Sequence, residues 1–219
     1  MNVVYDPTDE LIVNYVTKVL SERLQSGGSV LWLVPGGSAM RVAAKVLARL
    51  EDEDTSKLCI TLTDERYGRP GHSDENWNQL QQLGFAVNSI NAYRVLRGED
   101  ADTTAADFSH KLGELFATYD YKLGLFGIGA DGHTAGIKPL SPAVDSSELA
   151  VYFVGEDHER ITMTARAIRH LDEVVAYVHG DEKQTTLREM LQHERSLSEQ
   201  PAQILKSVAK ATVFCDLKT

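Results

Sequence analysis

Cysteine is scarce in this 219-residue chain: Cys59 and Cys215 are the two present, far apart, without metal-type spacing and each inside an apolar run. A disulfide framework and a cysteine metal centre are therefore not expected, and two buried free thiols are. Long hydrophobic runs are missing as well. No apolar stretch approaches the about 20 residues that a membrane-spanning helix needs. The N-terminus MNVVYDPTDE has no basic segment followed by an apolar one, so no membrane anchor or secretion signal is expected and a reducing cytoplasm is the simplest compartment. Basic charge is the third deficit. Lys and Arg number 22 against 32 Asp and Glu, a formal net charge of -10 with a pI near 5.1. Nucleic acid and anionic membranes attract basic surfaces and are not the expected partners. An anionic small molecule must instead be gripped by a local cluster of Arg and Lys.

Against these deficits, 42 % of the residues are hydrophobic, enough for a substantial core, and one domain over residues 1–219 is expected. Residues Thr8 to Leu24 place Leu11, Ile12, Tyr15, Val16, Val19, Leu20 and Leu24 at helical spacing, with Thr8 or Asp9 to cap the start and Gly27-Gly28 to close the end. Met40 to Leu50 is helical in pattern, as is a segment from about Thr104 to Tyr119. Strands are expected at Val30 to Val34, Leu58 to Thr63, Ala92 to Leu96, Leu123 to Phe126, Ala150 to Val154, Val174 to Val178 and Ala211 to Cys215. Short strands alternating with helices, without internal repeats, predict an α/β fold with a mainly parallel sheet flanked by helices.

The most informative stretch is LGLFGIGADGHTAGIKP, from Leu123 to Pro139. An apolar strand stops at Gly127 and gives way to small residues carrying one acid, Asp131, and one imidazole, His133. The glycines let the backbone turn sharply and let a ligand lie close to it. A neutral imidazole takes a proton from water near pH 7, and a neighbouring carboxylate fixes its tautomer. A lone histidine more often packs a loop; the glycine turn, the aspartate and the strand end favour the functional reading.

Four weaker signals follow other strands. Pro35-Gly36-Gly37-Ser38 joins a strand to a helix, and its N–H groups and the Ser38 hydroxyl suit a phosphate, although a plain tight turn uses the same residues. Asp64-Glu65-Arg66 stands where open α/β sheets put their sites, with a solvated loop as the alternative. Ser73 is the expected cap of a helix from Asp74 to Leu83, whose first turn carries Asn76. Gly180-Asp181-Glu182-Lys183 opens a helix to about Gln192. A lysine in a first turn opposes the helix dipole and so suggests an anion ligand, a solvated lysine being the alternative.

Together with Arg160-Ile161-Thr162-Met163-Thr164 and Pro201-Ala202, these motifs occur in an order that resembles the 6-phosphogluconolactonases over nearly the whole chain. The resemblance implies the fold shared with glucosamine-6-phosphate deaminases and ribose-5-phosphate isomerases. It also implies hydrolysis of 6-phospho-D-glucono-1,5-lactone in the pentose phosphate pathway without metal or organic cofactor, by a monomer or homodimer. On that reading His133 is the general base, Asp131 orients it and Arg66 is an electrostatic partner for the sugar or the developing charge. Gly36, Gly37, Ser38, Asp64, Asn76, Arg160 and Lys183 bind substrate and phosphate. Two positions depart from the pattern: Gly136-Ile137-Lys138-Pro139 stands where Ser-Leu-Phe-Pro is usual, and Glu75 where a serine is usual. Three alternatives remain. A glucosamine-6-phosphate deaminase would carry Asp-Glu-Tyr at 64–66 and Asn-Glu-Pro at 137–139. A non-catalytic sugar-phosphate sensor would have no need of His133. A lactonase for another phosphorylated sugar acid would fit the change at Ile137 and Lys138.

Overall fold

The computed structural model describes residues 1–6, 8–87 and 90–217. The apolar runs Val30–Val34 (β2), Leu58–Leu62 (β3) and Glu173–Val178 (β9) are buried along their whole length, as strands covered on both faces must be. With Asn2–Tyr5 (β1), Asn91–Tyr93 (β5), Tyr121–Gly127 (β6) and Lys210–Cys215 (β10) they form a seven-stranded sheet in the order β1-β10-β9-β6-β2-β3-β5. Every pairing in it is parallel.

The helices are Glu10–Gln25 (α1), Met40–Ala48 (α2), Asn76–Gln82 (α3), Ala101–Thr118 (α4), Ala165–Ile168 (α5) and Gln184–Gln192 (α6). Short 3-10 turns at Gly37–Ala39 and Asp181–Lys183 precede α2 and α6. Among the described residues no helix is long and apolar enough to cross a membrane. Both cysteines are free and buried, as expected.

Strand order places the site. From β2 the chain winds one way, to β3 and β5, and from β6 the other way, to β9 and β10. Open α/β sheets bind ligands where winding reverses, at the carboxyl ends of the strands. Here the reversal falls between β2 and β6, so the turns after Val34 and Gly127 flank one crevice.

A second, antiparallel sheet was not anticipated. Asp64–Arg66 (β4), expected as a site segment following a strand with a solvated loop as the alternative, is itself a strand that pairs with Glu159–Met163 (β8), which pairs in turn with Ala150–Val154 (β7). Its charged residues are paid for by distant partners: Glu65 is fully buried and accepts from the N–H groups of Asn76 (2.6 Å) and Trp77 (3.1 Å). That contact also corrects the start of α3, which begins at Asn76 and is capped by Glu65 rather than Ser73. Likewise α1 is capped by neither Thr8 nor Asp9. The Asp6 carboxylate accepts from Leu11 (3.1 Å) and Ile12 (3.3 Å), while Asp9, at φ 70°, is held by Arg41 and Tyr177. The fourth helix starts at Ala101, before Thr104, because Asp100 caps it through the Thr103 N–H (3.0 Å). Strand β5 is shorter than the expected Ala92 to Leu96.

Candidate active site

Strand β6 ends at Gly127, and the chain doubles back so that Ile128 bridges Thr134 and Thr134 bridges Ile137. The Thr134 hydroxyl donates to the Gly127 carbonyl at 2.9 Å. Gly129 has to be glycine, since a Cβ there would stand 2.2 Å from the His133 imidazole. Inside this loop Nδ1 of His133 lies 2.5 Å from Oδ1 of Asp131, and the His133 backbone N–H donates to the same oxygen at 3.1 Å. The other carboxylate oxygen, Oδ2, accepts from Nζ of Lys138 at 2.9 Å. An imidazole that donates through Nδ1 keeps its lone pair on Nε2, which makes Nε2 the nitrogen able to accept a proton. Burial pushes the Asp131 carboxyl up, but hydrogen bonds from His133 and Lys138 outweigh it and hold the group well below the ordinary carboxylate range.

His133 faces a cleft of about 320 Å³ whose walls include Gly36, Gly37 and Ser38 from the turn after β2, Asp64 and Arg66 from β4, and Lys183 from the turn before α6. Nζ of Lys183 donates to Oγ of Ser38 at 3.3 Å, joining two of these walls. Gly37 adopts φ +68°, and a Cβ on Gly36 would come within 2.5 Å of the Asn76 amide. Asn76 is fully buried and donates through Nδ2 to the Asp64 carbonyl at 2.9 Å. It thus supports the glycine turn and β4 from behind the cleft wall.

Arg66 is unusual in being incompletely paired. Its buried Nε has no hydrogen-bond partner, and Nη1 reaches the Asp74 carbonyl at a long 3.4 Å. A buried guanidinium N–H without a partner is costly. Arg160, expected at the phosphate, is held in an ion pair. It lies directly across the β4–β8 ladder from Arg66, is 4 % exposed, and is gripped at both ends by Asp157 at 2.6 and 2.8 Å. Two arginines opposed on a ladder repel, and the Asp157 pairing relieves this while leaving Arg66 as the arginine at the cleft.

The two departures from the motif pattern have physical explanations. Glu75 does not line the cleft; its buried carboxylate accepts from Arg94 at 2.7 and 2.6 Å and from the Gly71 N–H at 2.5 Å. Gly136 leaves room for Thr162, whose Cβ a Gly136 Cβ would approach to 2.7 Å, and its N–H donates to Oγ1 of Thr162 at 3.0 Å. Lys138, in the second departure, donates to Asp131. The capping carboxyl of Glu65 is pushed up to about 8 by burial, against the pull of three backbone N–H groups. Among the described residues no group of three or more His, Cys, Asp or Glu is arranged to hold a metal ion.

Known proteins share this fold. The chain is 28 % identical over 194 residues to a 6-phosphogluconolactonase of Neisseria meningitidis serogroup A, covering 84 % of this chain and 83 % of that one. It is 29 % identical over 189 residues to a 6-phosphogluconolactonase of Treponema pallidum, covering 80 % and 78 %. The crystal structure of a 6-phosphogluconolactonase from Shewanella baltica superposes with a TM-score of 0.84 at 18 % identity, over 98 % of this chain and 97 % of that one. A monomeric glucosamine-6-phosphate deaminase superposes with a TM-score of 0.79 at 17 % identity, over 98 % and 97 %, so the fold is common to both activities. Residues 8–214 match the family described as glucosamine-6-phosphate isomerases/6-phosphogluconolactonase, and the chain belongs to that family.

Proposed function

We propose that this protein hydrolyses 6-phospho-D-glucono-1,5-lactone to 6-phosphogluconate, the lactone-opening step of the oxidative pentose phosphate pathway. The observation that carries the reading is an Asp131-held His133 on one wall of a cleft whose other walls bring Gly36–Ser38, Lys183 and the incompletely paired Arg66. The phosphate sits against the glycine turn, Ser38 and Lys183. Binding energy from that remote group holds the ring carbonyl beside the base.

Nε2 of His133 takes a proton from water as the oxygen attacks the C1 carbonyl. The carbonyl electrons move onto oxygen, and Arg66 stabilises the resulting oxyanion. On collapse the C1–ring oxygen bond breaks, and the proton held on His133 passes to the departing oxygen, giving the open-chain acid and regenerating the neutral imidazole. Asp131 stabilises the intervening imidazolium. Asp64 and Asn76 position the sugar side of the cleft, and Arg160, neutralised by Asp157, supports Arg66 from across the ladder. The acidic surface and the lack of a membrane-length helix among the described residues suit a cytoplasmic, one-domain enzyme, monomeric or homodimeric, acting on a small phosphorylated lactone.

Deamination of glucosamine 6-phosphate is disfavoured by Arg66 and by Ile137-Lys138, which stand where that activity's motifs carry Tyr and Asn-Glu. The deciding experiment follows acid release from freshly prepared 6-phosphogluconolactone, with spontaneous hydrolysis subtracted, and ammonia release from glucosamine 6-phosphate in parallel. Rapid acid release without ammonia is expected. Ammonia release, or binding without turnover of either compound, would replace this reading with a deaminase or a sensor.

A further inference from the structure

Lys138 occupies a position where related motifs carry phenylalanine, and its amino group makes a specific contact. Nζ donates to Oδ2 of Asp131 at 2.9 Å while Oδ1 of the same carboxylate receives Nδ1 of His133 at 2.5 Å. The three side chains form a line from cation to carboxylate to imidazole. The Lys138 side chain is 27 % exposed, against 42 % for Asp131. The backbone that delivers it is anchored: Ile137 is fully buried, its N–H donates to the Thr134 carbonyl at 2.9 Å, and the neighbouring Gly136 is tied to Thr162.

A carboxylate is free to rotate about its last bond unless both oxygens are engaged. Oδ1 serves His133 twice, through the ring and through the backbone N–H, and Oδ2 has Lys138. We propose that Lys138 is a positioning residue for this reaction, pinning Oδ2 so that Oδ1 stays on Nδ1 of His133, and offsetting the Asp131 charge beside the imidazole. The inference rests on His133 being the general base.

The electrostatic setting gives the sign. Asp64 and Arg66 face the cleft from β4, and Glu182 and Lys183 from the turn before α6. Arg160 on β8, paired with Asp157, feels the charges of Asp64 and Asp131, and Lys138 in turn acts on Asp157. With Lys138 the carboxylates and cations of this set balance; without it one carboxylate is in excess, beside the imidazole. An uncompensated Asp131 favours imidazolium, so the acid limb of kcat/KM, which reports the unprotonated base, moves to higher pH.

The test is the pH profile of kcat/KM for Lys138→Met, which keeps an unbranched stem without the charge, with Lys138→Arg and His133→Gln alongside. For Lys138→Met the acid limb is expected to move up by about half to one pH unit, a loss of about three- to tenfold on the acid side and far less at alkaline pH. Lys138→Arg should restore the original limb, and the melting temperature should change little, as for other partly exposed ion pairs. A purely structural role would lower the rate equally at all pH values. An unshifted limb in Lys138→Met, or a limb in Lys138→Arg that follows the Met variant, overturns the role of Lys138, while a large rate loss in His133→Gln leaves the base assignment standing. An undiminished rate in His133→Gln overturns the base assignment itself and the role of Lys138 with it.

Discussion

The two ends of the parallel sheet each hold a carboxylate among polar partners, and they use it in opposite ways. At the amino ends of the strands Glu173 is fully buried and completely served: Tyr15 donates to it at 2.6 Å, Tyr121 donates to its other oxygen, and Lys210 stands 2.8 Å away. Burial, then Glu173 itself, pushes both tyrosine hydroxyls up. At the carboxyl ends Asp131 is half-exposed, and the cleft beside it brings His133, Arg66 and Lys183 to one open surface. A closed network spends its hydrogen bonds on the fold. An open one keeps them for a ligand, at some cost in stability.

The largest effect should come from breaking the open end. His133→Ala is expected to lower kcat by at least about 100-fold, the scale of lost general-base catalysis, with unchanged secondary structure and melting temperature. The substitution removes a partly exposed ring, so circular dichroism and a melt separate lost chemistry from lost fold. Near-normal turnover in the folded variant would take His133 out of the mechanism.

Breaking the closed end should do the converse. Glu173→Ala strips a buried carboxylate from two tyrosines and a lysine, and the expected cost is about 3 kcal/mol of stability, as for one partner removed from a buried ion pair. Denaturant unfolding reads that loss, and kcat of the folded fraction should match the parent. A variant with intact stability and depressed kcat would reverse the assignment of the two ends.

The sheet was legible in the sequence because strands buried on both faces are continuous apolar runs, and Val30–Val34 and Val174–Val178 carry that pattern without ambiguity. The Asp131–His133 contact was legible because a glycine turn with one acid and one imidazole has few structural uses. What was not legible depends on pairing across distance. Asp64-Glu65-Arg66 has the composition of a loop and becomes β4 only because Glu65 finds the first N–H groups of α3 more than ten residues on. The place of Arg160 opposite Arg66 follows from the β4–β8 register, which no local pattern encodes. Lys138 meets Asp131 only once the 128–137 loop has closed on itself.

Smaller than either of these effects is that expected for the phosphate contact. Lys183→Ala should weaken binding of the phosphorylated lactone by about 2 kcal/mol, within the range for a hydrogen bond to a charged group. Comparing KM for the phosphorylated and unphosphorylated lactones isolates the contact, because only the first should suffer. Equal losses on both would move Lys183 from the phosphate to the sugar ring or to a structural role with Ser38.

The smallest effect expected is that of salt, and it tests whether the open end is a formed pocket or an exposed basic patch. With a net charge of -10 the whole protein repels a phosphorylated substrate at long range, and capture relies on the local field of Arg66 and Lys183 at the cleft. Sodium chloride screens both contributions, over a Debye length of about 8 Å at physiological ionic strength. Repulsion from a diffuse surface acts across water and is screened strongly, whereas contacts inside a recessed cleft are screened less. Raising sodium chloride from low to physiological levels should therefore leave kcat/KM flat or slightly raised. Sulfate at matched ionic strength should inhibit competitively, because a divalent tetrahedral anion fits the place held for the phosphate. A steep fall with sodium chloride and no additional effect of sulfate would show that capture depends on exposed basic side chains, and would remove the distinction drawn between the two ends of the sheet.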